Sequence, residues 1–480
     1  MKRLEGIEAV AEYVRDESRR AGSAECVLFP ARPEEVPEAL ASAAEGGRPV
    51  AVQGGRTGIV GGAVPEGGAI LNLSAMADVG ERTGDRLTVE AGATLSAVRS
   101  ALSGSGRFFP PDPTEPSATI GGMISTNASG ARSYRYGSVR RWVEAIDVVL
   151  PSGEAVRLQR GRDRARETRF EIGETAGSFE AALLRAAGGA GKRAAGYFVR
   201  PNVDLVDPFI GAEGTLGIVT RAVLRLLPEP ESRSEWMLFF ENEEEAFAFV
   251  RFLRERPADD RPESIEYFDA ASLERLRRRK AEDSGAPFFA PPAGFGAAVA
   301  VEWTGAVPEE ALAWAEGAGE CYVAETPAEA ERFRAFRHAV PEALNAEIAE
   351  RRKRMPELTK IGTDFAVPDD RAADLYALYR RDLEKTGMEA AIFGHVGDNH
   401  LHVNFLPRRP EEAARAVALR RSWAKRVVEM GGVVSAEHGI GRAKIDLLEL
   451  MVGREGIDAM RRFRRRFDPD GRLNPGVLTG

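Results

Sequence analysis

The stretch GHVGDNHLHVN, residues 394–404, sets His395, His400 and His402 beside Asp398, Asn399 and Asn404 in a chain that has only five histidines. A fourth, His438, follows in SAEHGIG (435–441). Imidazole is the side chain best suited to hold a metal ion or move a proton near neutral pH. Side chains alternate along a strand, so His400, His402 and Asn404 would share one face, while His395, seven positions ahead of His402, has the opposite parity. Bringing His395 and His402 together requires a bend, and GDN (397–399) is a turn signal. Two imidazoles from one strand–turn–strand unit, joined by a carboxylate from elsewhere, form the two-His-one-carboxylate set that leaves metal positions open to substrate. Glu437 is the expected third ligand, and the expected ion is divalent, zinc or manganese-like. A lone H-x-H is more often structural than ligating; the clustering and the Glu437-His438 pair reverse that. Neither H-E-x-x-H nor H-x-x-E-H occurs, so the helical zinc-hydrolase patterns are not supported.

A second concentration of unusual residues is QGGRTGIVGG (53–62), which follows the strand-like PVAV. Its glycines remove β-carbons, so that consecutive backbone N–H groups can converge on an anion. It is a phosphate-cradle candidate. No G-x-G-x-x-G and no Walker lysine pattern is present, which disfavours a dinucleotide fingerprint or a P-loop.

Elements able to position these groups are legible in outline. Up to about residue 228, short β-branched runs (RPVAVQG, AILNL, RLTVEAG, EAIDVVLPSG, GIVTRAVLRLLP) alternate with turn signals, which predicts an α+β domain of short strands. PEPESR (228–233) ends that texture and marks a boundary. Beyond it, the amphipathic EEEAFAFVRFLRER and AEAERFRAFRHAVPEAL alternate with the strand-like AAVAVEW and AAIFGHVG, predicting a second α+β domain. From about 433 the chain turns glycine-rich again and is expected to return to the first domain. The divisions expected are therefore 1–228, 229–432 and 433–480.

Composition sets outer bounds. At 480 residues with a net charge of −8, the chain suggests two or three domains and no nucleic-acid partner. The basic runs at 277–280, 351–354 and 461–467 read as solvated helix faces. Cys26 and Cys321 are the only cysteines, too few for a disulfide framework or a four-thiolate iron–sulfur cluster within the chain, and they fit a reducing cytoplasm. No apolar run approaches the ~20 residues of a membrane span. Peripheral attachment to a membrane is left open.

Three segments then carry a resemblance: QGGRTG (53–58), PPDPTEPSATIGGMISTNASGARSYRYGS (110–138) and FIGAEGTLGIVT (209–220). In that order they resemble the FAD-binding domain of the vanillyl-alcohol oxidase and p-cresol methylhydroxylase family, in its branch of D-lactate, glycolate and D-2-hydroxyglutarate dehydrogenases. The resemblance covers nearly the whole chain. It implies an α+β fold, with a two-part FAD-binding domain of the p-cresol methylhydroxylase type and an α+β substrate (cap) domain. It implies that Gln53, Gly54, Gly55, Arg56, Thr57 and Gly58 wrap the FAD pyrophosphate, and that Asp112, Pro113, Thr119, Gly122, Asn127, Ser129, Gly130 and Tyr136 lie along the cofactor. Glu213, Ile218 and Asn474 would sit near the adenine or isoalloxazine. Many relatives attach flavin through a histidine, but none precedes His338, so the FAD is expected to be non-covalent.

The same resemblance carries H-x-G-D-G-N-L-H-x-N and E-H-G onto the histidine stretch. It implies that His395, His402 and Glu437 bind the metal, that Asn404 touches substrate, and that His438 is the catalytic base. Arg337, in FRAFRHAVPEAL, matches an arginine that would hold the substrate carboxylate through bidentate hydrogen bonds. This chain departs from the motif at Asn399 and His400, where the family usually has Gly-Asn; whether His400 faces solvent or adds a ligand is left open. The lysine by which D-2-hydroxyglutarate dehydrogenases hold a second carboxylate is not matched in TKIGTDFAVP (359–368), where Lys360 and Gly362 precede Asp364. The expected activity is FAD-dependent, metal-assisted oxidation of a D-2-hydroxy acid, of the D-lactate or glycolate type, to the 2-oxo acid, with hydride passing to flavin N5. D-2-hydroxyglutarate oxidation, or a non-redox flavin enzyme resembling alkyl-dihydroxyacetone-phosphate synthase, are the alternatives. The partners expected are a small 2-hydroxy acid and an electron acceptor such as a quinone, an electron-transfer flavoprotein or an iron–sulfur protein, with homodimer formation left open.

Overall fold

Three near-continuous apolar runs, Cys26–Phe29, Val50–Gln53 and Ala69–Asn72, pair in parallel, as strands buried on both faces do. The computed structural model describes residues 1–182, 191–257 and 260–480. In this first sheet the strand order is Lys2–Glu5, Cys26–Phe29, Ala69–Asn72, Val50–Gln53. The free edge of Val50–Gln53 is taken up by residues 472–474, where Val50 N donates to Arg472 O and Asn474 N donates to Val50 O. A second, five-stranded antiparallel sheet follows, in the order Val79–Thr83, Arg86–Glu90, Ile218–Arg225, Val143–Val149, Ala155–Gln159. Against Ile218–Arg225 packs the helix Ile120–Thr126, capped by the Thr119 hydroxyl and closed by Asn127 in the left-handed conformation. The strands expected from the β-branched runs form in this half.

Residues 229–232 separate these sheets from a seven-stranded antiparallel one. Its order is Glu320–Ala324, Arg233–Phe240, Ala297–Thr304, Ser264–Asp269, Ala390–His395, His400–Phe405, Ile361–Gly362. Alternation divides one face in two. Met237, Phe239, Phe268, Ala298 and Ala300 pack under Leu273 and Leu276 of the helix Ala270–Glu282 and under Phe333 and Phe336 of the helix Pro327–Arg352. Further along the same face, in register with those apolar positions, stand Glu235 opposite Glu302, and Glu266 in line with His395. The long helix starts at a full capping box, Thr326 with Glu329, with proline at its first turn. It carries Arg337, next to Phe336, over the sheet.

The tail returns across the first half. Phe463, on the helix Ile445–Arg465, meets Phe170 and Tyr197 with ring centroids 5.6 and 5.7 Å apart. No helix among the described residues is long and apolar enough to cross a membrane.

Candidate active site

An open cleft of about 340 Å³ runs between the glycine loop, the 113–130 segment, Glu213 to Val219 and the 437–438 corner. Gln53 is locked at its mouth by hydrogen bonds from its amide to the carbonyls of Tyr13 and Ala63. Arg56 adopts a positive φ of 59°, and its guanidinium turns away to Glu12 and the Tyr13 ring. The N–H groups of Gly54 to Gly58 make no hydrogen bond to a described residue. A β-carbon at Gly54 would lie 2.2 Å from Thr119 Oγ1, and one at Gly55 2.9 Å from the Ser117 carbonyl oxygen. Free amides in a strand-end loop whose first two glycines leave no room for a β-carbon suit an anion such as a pyrophosphate, so these residues fit FAD. Pro113, Thr119, Gly122, Ser129, Gly130, Glu213, Ile218 and Asn474 also line the cleft. Glu213 accepts N–H bonds from Ile440 and Gly441, while Asn474 accepts one from Val52 N and donates one to Glu213 O. Burial pushes the Glu213 carboxyl up to about 7, against the pull of those two N–H groups.

Asp112, Asn127 and Tyr136 have other occupations. Asp112 pairs with Arg99 and Arg132. Asn127 donates to the Arg193 carbonyl and accepts from Arg140 N. The Tyr136 hydroxyl donates to Glu263, which is fully buried. Arg132 ties the two halves together here, with its guanidinium on Glu302 and 3.2 Å from Glu263 Oε2.

The histidines converge through the hairpin that parity required. Ala390–His395 and His400–Phe405 pair with His395 opposite His400 and Phe393 opposite His402. The turn closes on Asn399 at φ 54°, a left-handed position that asparagine tolerates better than most non-glycine residues. Each of the three rings has one nitrogen facing an outer acceptor: His395 Nδ1 on Glu266 Oε1, His402 Nδ1 3.1 Å from the Thr363 carbonyl, and His400 Nε2 2.9 Å from Asp364 Oδ1. The other nitrogens face Glu437 Oε2, at 3.2 Å for His395, 3.8 Å for His400 and 3.8 Å for His402. Ligand atoms of these four residues all lie within 4.8 Å of one another. A carboxylate or carbonyl behind each imidazole is the support that metal-binding histidines carry, so this donor set fits a divalent ion.

Burial and the surrounding charges set the protonation of the cluster in the absence of an ion. Burial pushes the His402 ring well below its ordinary value, helped by His400 and His438, and so keeps a lone pair available. Burial would also depress His395, but Glu266 and Glu437 outweigh it and hold the ring up at about 10. Glu437 is held well below the usual carboxylate range because His395 and Lys192 outweigh its burial. Its second oxygen, Oε1, is occupied by Lys192 Nζ at 2.6 Å and Ser129 Oγ at 3.0 Å.

His438 borders both regions: it lines the cleft, and its ring centroid is 5.5 Å from that of His402. Its Nδ1 is 3.2 Å from Asp364 Oδ2. Asp364 also receives Lys444 Nζ, the Ser435 hydroxyl and the backbone N–H groups of Glu437 and His438. Burial works against its charge, yet His438 and Lys444 hold Asp364 well below the ordinary carboxylate value. Arg337 makes neither an ion pair nor a hydrogen bond with the described residues. Burial opposes its charge, but Glu266, Glu302, Glu235 and Asp112 around it hold its pKa up. Asn404, on the strand that carries His400 and His402, is buried beside Gly362.

Sequence reasoning missed Asp364, Glu266, Thr363 and Lys192. A glutamate between Ile265 and Tyr267 in the strand Ser264–Asp269 and an aspartate before FAVP were visible signals. Lys192, in GGAGKRAAGY, carried none.

Residues 229–478 match the family described as FAD linked oxidases, C-terminal domain, and residues 24–159 match the FAD binding domain. The chain is 30% identical to a D-lactate dehydrogenase of Anaerostipes hadrus, over 99% of its own length and 94% of that protein's. It is 29% identical to the glycolate oxidase subunit GlcD of Bacillus subtilis (strain 168), over 95% and 88% of the two chains. Among solved structures it is similar to an alkyldihydroxyacetonephosphate synthase at a TM-score of 0.62 and 14% identity, covering 98% of this chain and 82% of that one.

Proposed function

Because the chain belongs to the FAD-linked oxidase family, we propose that it is a dehydrogenase that oxidises a short D-2-hydroxy acid, of the D-lactate or glycolate type, to its 2-oxo acid. One observation carries the reading: Glu437, one of the four clustered donors, and His438, whose ring lies 5.5 Å from that of His402, both line the cleft that suits FAD. Substrate held by the cluster would therefore lie against the cofactor. When bound by Gln53 to Gly58 and the 113–130 segment, FAD supplies a hydride acceptor at N5, and a divalent ion on His395, His402 and Glu437 supplies a Lewis acid for the substrate hydroxyl.

The protein's own groups account for the rest. Asp364 fixes His438 through Nδ1, which leaves Nε2 to take the hydroxyl proton. Arg337, with no partner of its own among the described residues, offers two parallel N–H groups to the substrate carboxylate. Asn404 adds an uncharged hydrogen-bonding group on the strand that carries His400 and His402. Lys360, the cation nearest in sequence to where a second carboxylate would be read, is pushed down to about 8 by burial and then by Arg19. A single clamped carboxylate favours a monocarboxylate over D-2-hydroxyglutarate. Two free cysteines cannot hold a four-thiolate cluster, so electrons pass on to a quinone, another flavoprotein or an iron–sulfur partner.

An anaerobic screen of D- and L-hydroxy acids tests the reading. D-lactate or glycolate should bleach the flavin absorbance, and chelation should abolish bleaching while the flavin spectrum persists. Faster bleaching by D-2-hydroxyglutarate or an L-isomer would overturn the substrate choice. Full turnover in exhaustively chelated protein would exclude a catalytic ion.

A further inference from the structure

His400 stands where the related motif has asparagine, and its surroundings are those of a ligand. The ring is fully buried. Its Nε2 is 2.9 Å from Asp364 Oδ1, too far off line to count as a hydrogen bond, and its Nδ1 has no hydrogen-bond partner. A buried imidazole with an unsatisfied ring nitrogen is costly unless something else satisfies it. That nitrogen is aimed inward: it is 3.8 Å from Glu437 Oε2, the same oxygen that His395 Nε2 and His402 Nε2 face. Asp364 stands on the outer side of His400, as Glu266 does on the outer side of His395.

We propose that His400 is a fourth protein ligand, giving a site of His395, His400, His402 and Glu437 that holds an ion able to carry six donors. This rests on the proposed function only in placing a divalent ion at the cluster. Lys192 and Ser129 on Glu437 Oε1 leave Oε2 as the one oxygen directed at the histidines, so the carboxylate contributes a single donor. Three imidazoles and one oxygen complete a tetrahedron, the arrangement in which zinc sites are closed. A 2-hydroxy acid that chelates through its hydroxyl and one carboxylate oxygen needs two more positions. Four protein donors and two substrate donors make six, an octahedral count that suits manganese, iron or cobalt(II) better than tetrahedral zinc. The fourth donor thus brings the count to six with substrate bound, whereas the three-residue set would leave it at five.

The experiment uses full-length, FAD-loaded protein stripped by chelation and reloaded with manganese(II) or zinc(II) alone. X-ray absorption at the metal edge counts imidazole ligands, and competition against a chromophoric chelator gives affinity. Wild type should show three imidazoles. His400→Asn, which restores the residue of the related motif, should show two and bind manganese at least about tenfold more weakly. Two imidazoles in the wild type, or unchanged affinity in His400→Asn, overturns the fourth ligand while leaving an ion on His395, His402 and Glu437. A wild type that holds no ion in the competition assay overturns the metal reading and the fourth ligand together. Because the imidazole count is read on wild type, failure of the variant to fold would not shield the proposal.

Discussion

Arg132→Met should cost roughly 3 kcal/mol of stability near pH 8, and much less near pH 5. Arg132 is one-sixth exposed and serves Glu302, Glu263 and, at 3.7 Å, Asp112. Removing one partner from a buried ion pair costs about 3–5 kcal/mol, because the charge left behind has lost both water and counter-ion. The low end applies here: Arg233 stays within 3.5 Å of Glu263 and 4.0 Å of Glu302, and Arg99 stays on Asp112. The pH dependence follows from Glu263, whose carboxyl is already pushed up by burial and by Glu302 against the pull of Arg132. A carboxyl raised in the folded state favours folding when protonated, and it withdraws stability as pH rises from its ordinary value through the folded one. Loss of Arg132 lifts that folded value further. The deficit should therefore shrink by up to about 1.4 kcal/mol for each pH unit descended through the window. Urea unfolding of wild type, Arg132→Met and Arg132→Lys at pH 5, 6.5 and 8, followed by tryptophan emission and circular dichroism, measures it. A deficit below about 1 kcal/mol, or one equal at pH 5 and pH 8, would refute the idea that Arg132 neutralises buried carboxylates.

Four further outcomes are expected. His438→Asn should retain FAD and metal yet slow flavin reduction by about 10²–10⁴-fold in stopped flow, while Arg337→Ala should chiefly raise the substrate concentration required and Arg337→Lys should restore little, for want of a bidentate fork. Acid precipitation should release the yellow chromophore into the supernatant, and flavin kept by the pellet would disprove non-covalent binding. Since the Glu213 carboxyl stands at about 7 in the fold against an ordinary 4.5, it should withdraw ~3 kcal/mol as pH rises across that interval; Glu213→Gln should flatten the urea-midpoint profile over the same range, and an unaltered slope would exclude Glu213 as its source.

Legibility in the sequence followed the range over which each feature is determined. Parity alone required a bend between His395 and His402, and the hairpin supplies it, because strand alternation and a turn signal are local properties. Strand runs in the first half were legible for the same reason. Asp364 was not: its importance comes from His400, His438 and Lys444, which meet only after the strand Ile361–Gly362 adds to the sheet edge. Lys192 likewise gains meaning only from Glu437 and Asp398, both some two hundred or more positions away. Asp112 and Tyr136 teach a complementary lesson. Their segment lies at the cleft, but the side chains point into the Arg132 and Glu263 cluster, since resemblance transfers a position in the chain and leaves rotamer and partner to local packing.

The bond from Val52 N to Asn474 Oδ1 spans 422 positions, with the entire seven-stranded sheet in between. Closing a flexible loop of that length would cost about 5 kcal/mol of chain entropy, which no single hydrogen bond returns. Folding of the intervening sheet first would shorten the effective tether before residues 472–474 reach Val50–Gln53. Until that moment the strand is an open edge, with unpaired amides able to template pairing with another chain. Flavin uptake would be a late event in biogenesis, and a mutation that slows folding of the distant sheet would surface as aggregation or as colourless protein although it touches no residue of the cleft.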